Sequence, residues 1–374
     1  MPHARLVETS EALHARVRAF AAGAAGDDFE TLALAIARFQ AEGSPGFARL
    51  VASRGATLER LEDVPGVPAE TFRLARVAVH PPELDVARFV TSGTTSGAPG
   101  THAFRTTATY DAVALAFGQR ALLGFGAGAR VVVSLAAPPG ETPTSSLAYM
   151  LGLFQREWDG RSLADGSFER EHAARWLFGP DGLDLQGLEH AAAVAERRGE
   201  PLLVLATAFA LVALLDAARG RVLGAPAATA VMVTGGYKGR SREVSKAELR
   251  REVARTFGVP ETHIVAEYGM TELTSQLYEG TLPGAALRGP RDVLLEPPWL
   301  RVVPVDPATL EPVPDGQLGI ARIVDLGNVD SALVVQTEDL VRRRDGGVEL
   351  VGRRPGATAR GCSLAVEAWL GERP

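Results

Sequence analysis

From Ala87 to Ala266 short apolar runs alternate with amphipathic stretches, and this alternation constrains the fold more than any other property of the chain. The runs are Phe89-Val90, Arg130 to Leu135, Pro201 to Ala206, Ala230 to Thr234 and His263 to Ala266, with helical stretches from Thr107 to Leu123 and onward from Ala206 through Leu214. Strands that alternate with helices predict an α/β domain with a largely parallel, buried sheet flanked by helices. The best-bounded helix follows Thr234. Ser245 and Glu248 form a capping box, Leu249, Val253 and Phe257 share one face, and Gly258 with Pro260 ends it.

The flanks differ in texture. Residues 1–80 read as a helical lead segment, because Leu32, Ala35, Ile36 and Phe39, then Phe47, Leu50 and Val51, recur at helical spacing. Residues 81–286 form the α/β core. Over 287–374 many prolines and short valine-rich runs, with Asp-Gly turns at Asp315-Gly316 and Asp345-Gly346, predict a smaller antiparallel β region.

Composition removes several classes of function. The formal net charge is −6 and no basic tract occurs, which argues against nucleic acid as a partner. The one cysteine, Cys362, excludes a disulfide framework and a zinc site of several thiolates. Arg5, Glu8, Glu11 and Arg16 interrupt any leader-like apolar stretch, and no run is long enough to span a membrane. A soluble, cytoplasmic protein is expected.

Four segments carry chemistry. Thr91, Ser92, Gly93, Thr94, Thr95, Ser96 and Gly97 follow Phe89-Val90, and the glycine-rich stretch runs on to Gly100. Glycines admit close approach of the backbone and hydroxyls donate, so the stretch suits phosphate oxygens; alternatively it is an ordinary surface turn. It lacks the Gly-Lys-Ser/Thr ending of a Walker A loop. Glu267, Tyr268, Gly269, Met270, Thr271 and Glu272 follow the run His263 to Ala266, at the strand end where open α/β sheets bind ligands. There Tyr268 can stack on a base, Thr271 can donate to a phosphate and Glu272 can bind a hard cation. Thr234-Gly235-Gly236 offers bare backbone at another strand end, and Asp339 in Thr337-Glu338-Asp339 can hold a ribose diol.

In this order, and followed by Gly352-Arg353, the segments resemble the adenylate-forming superfamily of acyl and aminoacyl activating ligases. Within it the chain is most similar to the LuxE-type acyl-protein synthetases. The narrower likeness rests on Ser92 to Gly97, Ser145 to Met150, Gly235 to Lys238, Glu267 to Leu273 with Ser275-Gln276, and Arg360 to Leu364. The resemblance implies the fold of the family's N-terminal domain, ATP and Mg²⁺ as cofactors, and acyl-AMP as the product of the first step. It implies that Thr91 to Gly97 hold the phosphates, Gly235 and Gly236 flank the adenine, and Tyr268 packs on it. Glu267, Gly269, Met270 and Arg353 complete the nucleotide set, with Thr271 on the α-phosphate, Glu272 on the metal and Asp339 on the ribose. Larger members continue into a lid domain that carries a lysine; 21 residues follow Arg353 here, none of them lysine, so no lid is expected.

Lysine occurs only at Lys238 and Lys246, and the other 37 basic residues are arginine. A compact cation retained beside the Gly-Gly turn makes Lys238 the candidate substitute for a lid lysine, whereas Lys246 at the start of a capped helix reads as solvent-facing. Cys362 is either a small core residue or, as the family likeness implies, an acyl acceptor whose thiolate is favoured by neighbouring arginines. His102 reads as an exposed loop histidine, with contact to a phosphate or carboxylate as the alternative. Ser146, Tyr149, Ala208, Phe209 and Gly236 are expected along the acyl pocket. The expected activity is ATP-dependent acyl-adenylation, with transfer to Cys362 and then a partner protein such as a reductase. The alternatives are transfer to coenzyme A, a carrier protein or an amine, and a non-catalytic nucleotide-binding subunit.

Overall fold

A computed structural model describes residues 3–91, 99–126, 128–140, 144–159, 175–235, 244–354, 365–367 and 369–371. Their contacts form two compact units. One comprises Met1–Ala116, Met270–Gln276 and Leu295–Pro374, and the other Phe117–Gly269 and Leu277–Leu294.

The second unit holds the parallel sheet. Strands Val131–Leu135, Leu202–Thr207, Ala230–Thr234 and Ile264–Tyr268 lie side by side in that order, all parallel, and Leu277–Glu279 adds antiparallel to the last. Every residue of Val131–Leu135 is buried, as a sheet covered on both faces requires. The cover includes helices Leu185–Arg198, Ala208–Ala218 and Lys246–Phe257, whose apolar faces join the strands in one core. The last helix follows its sequence signals. The Ser245 hydroxyl accepts from the Glu248 amide, Gly258 turns the chain at φ 69°, and Leu249, Val253 and Phe257 are buried. Lys246 is exposed at its first turn.

The first unit opens with helices His3–Ala21, Phe29–Gly43 and Pro45–Arg54, where Leu32, Ile36, Phe39, Phe47 and Leu50 are buried. It also holds antiparallel strands Leu300–Val305, Gly319–Asp325, Val334–Arg344 and Gly347–Arg353, paired in sequence order. Val67–Pro68 pairs parallel to Val335 and Gln336. Asp345 and Gly346 both take positive φ, 49° and 78°, and close a two-residue hairpin between Arg344 and Gly347. That is the mirror-image turn favoured by strand twist, and it explains the Asp-Gly pair.

One strand extends beyond its expected end. Ile264–Tyr268 includes Glu267 and Tyr268, because Glu267 pairs with both Thr234 and Tyr278, and Tyr268 with Leu277. Glu279 braces this edge. Its carboxylate takes two bonds from Arg250, at 2.8 and 2.6 Å, and accepts from the Ala266 and Asp292 amides. Breaking a buried pair strands the surviving charge, so Glu279→Ala should cost about 3–5 kcal/mol, read as a lower urea midpoint. A loss below about 1 kcal/mol, the range of surface pairs, would contradict this brace.

Candidate functional site

In the second unit the parallel register sets Thr234 beside Glu267, so the Gly-Gly strand end and the Glu-Tyr-Gly motif are neighbours at the carboxyl edge of the sheet. The Thr234 hydroxyl bonds Glu267 Oε2. Glu267 is buried, and loss of solvation pushes its carboxyl up to about 7 although the Thr234 bond favours ionisation. Tyr268, next along the strand, is half-buried, and Gly269 is exposed. Gly235 follows Thr234 at φ 70° with open space where a Cβ would lie, which suits close approach of a flat ring. Gly236 and Lys238 lie outside the described residues.

Of the expected pocket residues, Ala208 and Phe209 start the helix capped by Thr207, at the carboxyl end of Leu202–Thr207. Ala208 is buried, and Phe209 packs edge-on to Phe178 with ring centroids 5.6 Å apart. Ser146 and Tyr149 occupy the first turn of Ser146–Trp158, whose cap is Ser145, and both are half-buried.

In the first unit the chain continues from the same motif as Met270–Gln276, and its polar groups are tied to Asp325–Ala332. Asp325 Oδ2 accepts from the Thr274 and Ser275 amides at 2.9 and 2.8 Å, and its Oδ1 accepts from the Ser275 hydroxyl at 2.7 Å. Asn328 Nδ2 donates to the Glu272 carbonyl at 2.9 Å, and its Oδ1 accepts from the Thr274 hydroxyl at 2.7 Å. Burial raises the Asp325 carboxyl above its usual range, against the pull of these donors. Thr271 and Glu272 themselves are half-buried.

His102 corrects the expectation of an exposed loop histidine. It lies in the strand Thr101–Phe104 and is 1% exposed. The rings of Phe104 and Phe72 lie 4.1 and 5.4 Å from it, centroid to centroid. Its Nδ1 is 2.8 Å from the Thr271 carbonyl oxygen and its Nε2 2.8 Å from Ser331 Oγ. A carbonyl only accepts, so Nδ1 carries the proton and the Ser331 hydroxyl donates to Nε2. Burial pushes the imidazole down to about 4, the charge of His80 adding to that shift while the Thr271 carbonyl and Asp330 oppose it.

Strand Ala87–Val90 pairs antiparallel with Thr101–Phe104 in a hairpin whose open end is Thr91 and Gly100. Its mouth is closed by the Thr91 amide on the Gly100 carbonyl, 2.9 Å, and by the Gly100 amide on the Thr91 hydroxyl, 2.8 Å. Ser92, Gly93, Thr94, Thr95, Ser96 and Gly97 lie outside the described residues, as does Cys362. Asp339 and Arg353 stand directly opposite each other on adjacent strands, and the Asp339 amide bonds the Thr337 hydroxyl at 3.1 Å. The Thr-x-Asp and Gly-Arg segments are therefore one structural feature. Asp325, Asn328 and Ser331 carry no motif in the sequence; the cluster of polar residues in Asp325 to Ser331 is the one signal that marks them.

Among the described residues no three His, Cys, Asp or Glu side chains group to hold a metal ion. Magnesium is commonly held by one or two carboxylates together with substrate phosphates and water, and the Glu272 carboxylate fits that arrangement.

No family model and no curated protein matches the chain. Solved structures do. A 2-hydroxyisobutyryl-CoA ligase, in an open conformation with 2-HIB-AMP and CoA, aligns with TM-score 0.60 at 17% identity over 89% of this chain and 76% of its own. The same ligase in the thioesterification state aligns with TM-score 0.58 at 17% identity, over 96% of this chain and 71% of its own. In its postadenylation state the values are 0.59, 16%, 87% and 67%. The chain thus has the α/β fold of the adenylate-forming ligases that the sequence predicts.

Glu267 and His102 drive stability in opposite directions. Glu267, raised from 4.5 to about 7, stabilises the fold at low pH and loses that contribution as pH rises through 7. His102, lowered from 6.5 to about 4, contributes above 6.5 and loses it as pH falls toward 4. Melting temperatures across pH 4–8 should therefore show Glu267→Gln gaining on the wild type as pH rises from about 4.5 to about 7. Parallel curves would contradict a buried, proton-holding Glu267.

Proposed function

We propose that the protein is an ATP-dependent acyl-adenylating ligase of the acyl-protein synthetase type. The observation that carries this reading is the Thr234–Glu267 register, which sets the strand ends leading into Gly235 and Tyr268 side by side at the carboxyl edge of a sheet in an adenylate-forming fold. A reading as a random cluster of turns has no reason to put both segments on adjacent strand ends.

In this mechanism a substrate carboxylate attacks the α-phosphorus of ATP, forming the acyl–phosphate bond as pyrophosphate leaves. The chain supplies positioning and charge compensation. The hydroxyls and amides of Thr91 to Gly97 hold the phosphates, Gly235 and Gly236 flank the adenine, Tyr268 packs on it, and Asp339 takes the ribose hydroxyls. Thr271 contacts the α-phosphate and Lys238 the substrate carboxylate. Glu272 would hold Mg²⁺, which when bound would supply neutralisation of the phosphate charge. In the second step the Cys362 thiolate attacks the acyl carbon, a thioester forms, and AMP leaves with the electron pair of the broken C–O bond. The acyl group then passes to a partner thiol. The 2-hydroxyisobutyryl-CoA ligase complexes favour one variant, release of the acyl group to coenzyme A.

ATP–pyrophosphate exchange across a panel of carboxylic acids tests the first step. Exchange with at least one acid is expected, and none with any acid, on folded protein, would sink the enzyme reading. Lys238→Arg should lower that exchange by about a hundredfold, the cost of misplacing a group by about 1 Å; an unchanged rate would return Lys238 to the background. Intact-mass spectra after ATP and acid should show an acyl adduct that Cys362→Ala abolishes. An adduct surviving that substitution would refute the thiol as acceptor.

A further inference from the structure

We propose that His102 is a positioning residue that locks the main chain of Thr271–Glu272 to the strand leaving the Thr/Ser/Gly loop, so that the two segments are held as one piece. The proposal rests on the adenylation reading for its catalytic consequence, but its structural content is independent of it.

Three observations carry it. His102 stands two residues after Gly100, which closes the mouth of that loop on Thr91. Its Nδ1–H holds the Thr271 carbonyl, and the following carbonyl, that of Glu272, is held by Asn328 Nδ2. Two successive carbonyls pinned by side chains fix the peptide planes on either side of the Glu272 Cα, and with them the direction in which the Glu272 side chain leaves the backbone. Finally, both ring nitrogens are committed: the Thr271 carbonyl, which only accepts, selects the tautomer with its proton on Nδ1, and the Ser331 hydroxyl then donates to Nε2. A histidine kept only to fill space between Phe72 and Phe104 has no need of a specified tautomer.

Two amide substitutions separate positioning from packing. Asparagine places an N–H near the position of Nδ1, and glutamine reaches that of Nε2, so His102→Asn preserves the Thr271 bond while His102→Gln keeps only the Ser331 side. Both lose the ring. In pyrophosphate exchange at saturating ATP, kcat should fall about a hundredfold in H102Q, with KM for ATP changed far less, while H102N recovers most of the rate. Hydrogen–deuterium exchange of residues 270–276, read without any ligand, should accelerate in H102Q and stay near wild type in H102N. Equal effects of the two substitutions would overturn the proposal. Absence of pyrophosphate exchange in the wild type would count against the adenylation reading alone, since amide exchange still decides the clamp. If H102Q does not fold, His102→Phe keeps an aromatic ring between Phe72 and Phe104 and removes both ring nitrogens: faster exchange over 270–276 supports the clamp, and unchanged exchange refutes it.

Discussion

Peptide groups packed away from water must find partners, and in Met270–Gln276 the Thr271 and Glu272 carbonyls and the Thr274 and Ser275 amides find them in the side chains of His102, Asn328 and Asp325. One buried carboxylate, Asp325, accepts from two consecutive amides and a hydroxyl, and one carboxamide, Asn328, serves a carbonyl and a hydroxyl. Leaving any of these groups unpaired costs about 1–3 kcal/mol, so the segment has few alternative conformations within reach. The Thr-Glu half of the motif is thereby rigid for a reason unconnected with nucleotide. A site built on such a segment costs little reorganisation when a ligand arrives, which is the condition for electrostatic catalysis to be effective.

The regular elements were legible because their signals are local. Ser245, Glu248 and Gly258 bound a helix by their own chemistry, and Asp345-Gly346 specifies a two-residue turn without help from the remainder of the chain. Nor does a largely parallel, covered sheet need more than the alternation of strands and helices to be expected. What escaped depends on partners distant in sequence. The strand from Ile264 runs on through Tyr268 because Leu277–Glu279 and Thr234 pair with its end. His102, beside a glycine-rich loop, has the sequence context of a solvent-facing residue; Phe72, Phe104, Thr271 and Ser331 bury it only after folding. Likewise Asp325-Leu-Gly-Asn-Val-Asp330 reads as a polar loop, and it is polar because it serves the interior.

The candidate site shows the same division. Motif order identified the segments, and strand register accounts for two of their associations: Thr234 with Glu267, and Asp339 with Arg353. In each case the two residues are direct cross-strand neighbours, so two motifs that are uninformative singly lie side by side within one unit. The linear stretches 1–80, 81–286 and 287–374 describe texture along the chain, whereas the contacts group Met270–Gln276 with Met1–Ala116. That grouping follows from the hydrogen bonds to His102, Asp325 and Asn328, none of which a scan along the chain can register.

On the proposed function, nucleotide meets the carboxyl edge of the sheet at Gly235 and Tyr268. Photolabelling with 8-azido-ATP, followed by peptide mapping, tests it most directly. Label competed away by ATP and found on peptides containing Thr234-Gly235 or Tyr268 is the expected result. Label indifferent to ATP, or confined to the lead helices His3–Ala21 and Phe29–Gly43, would contradict it.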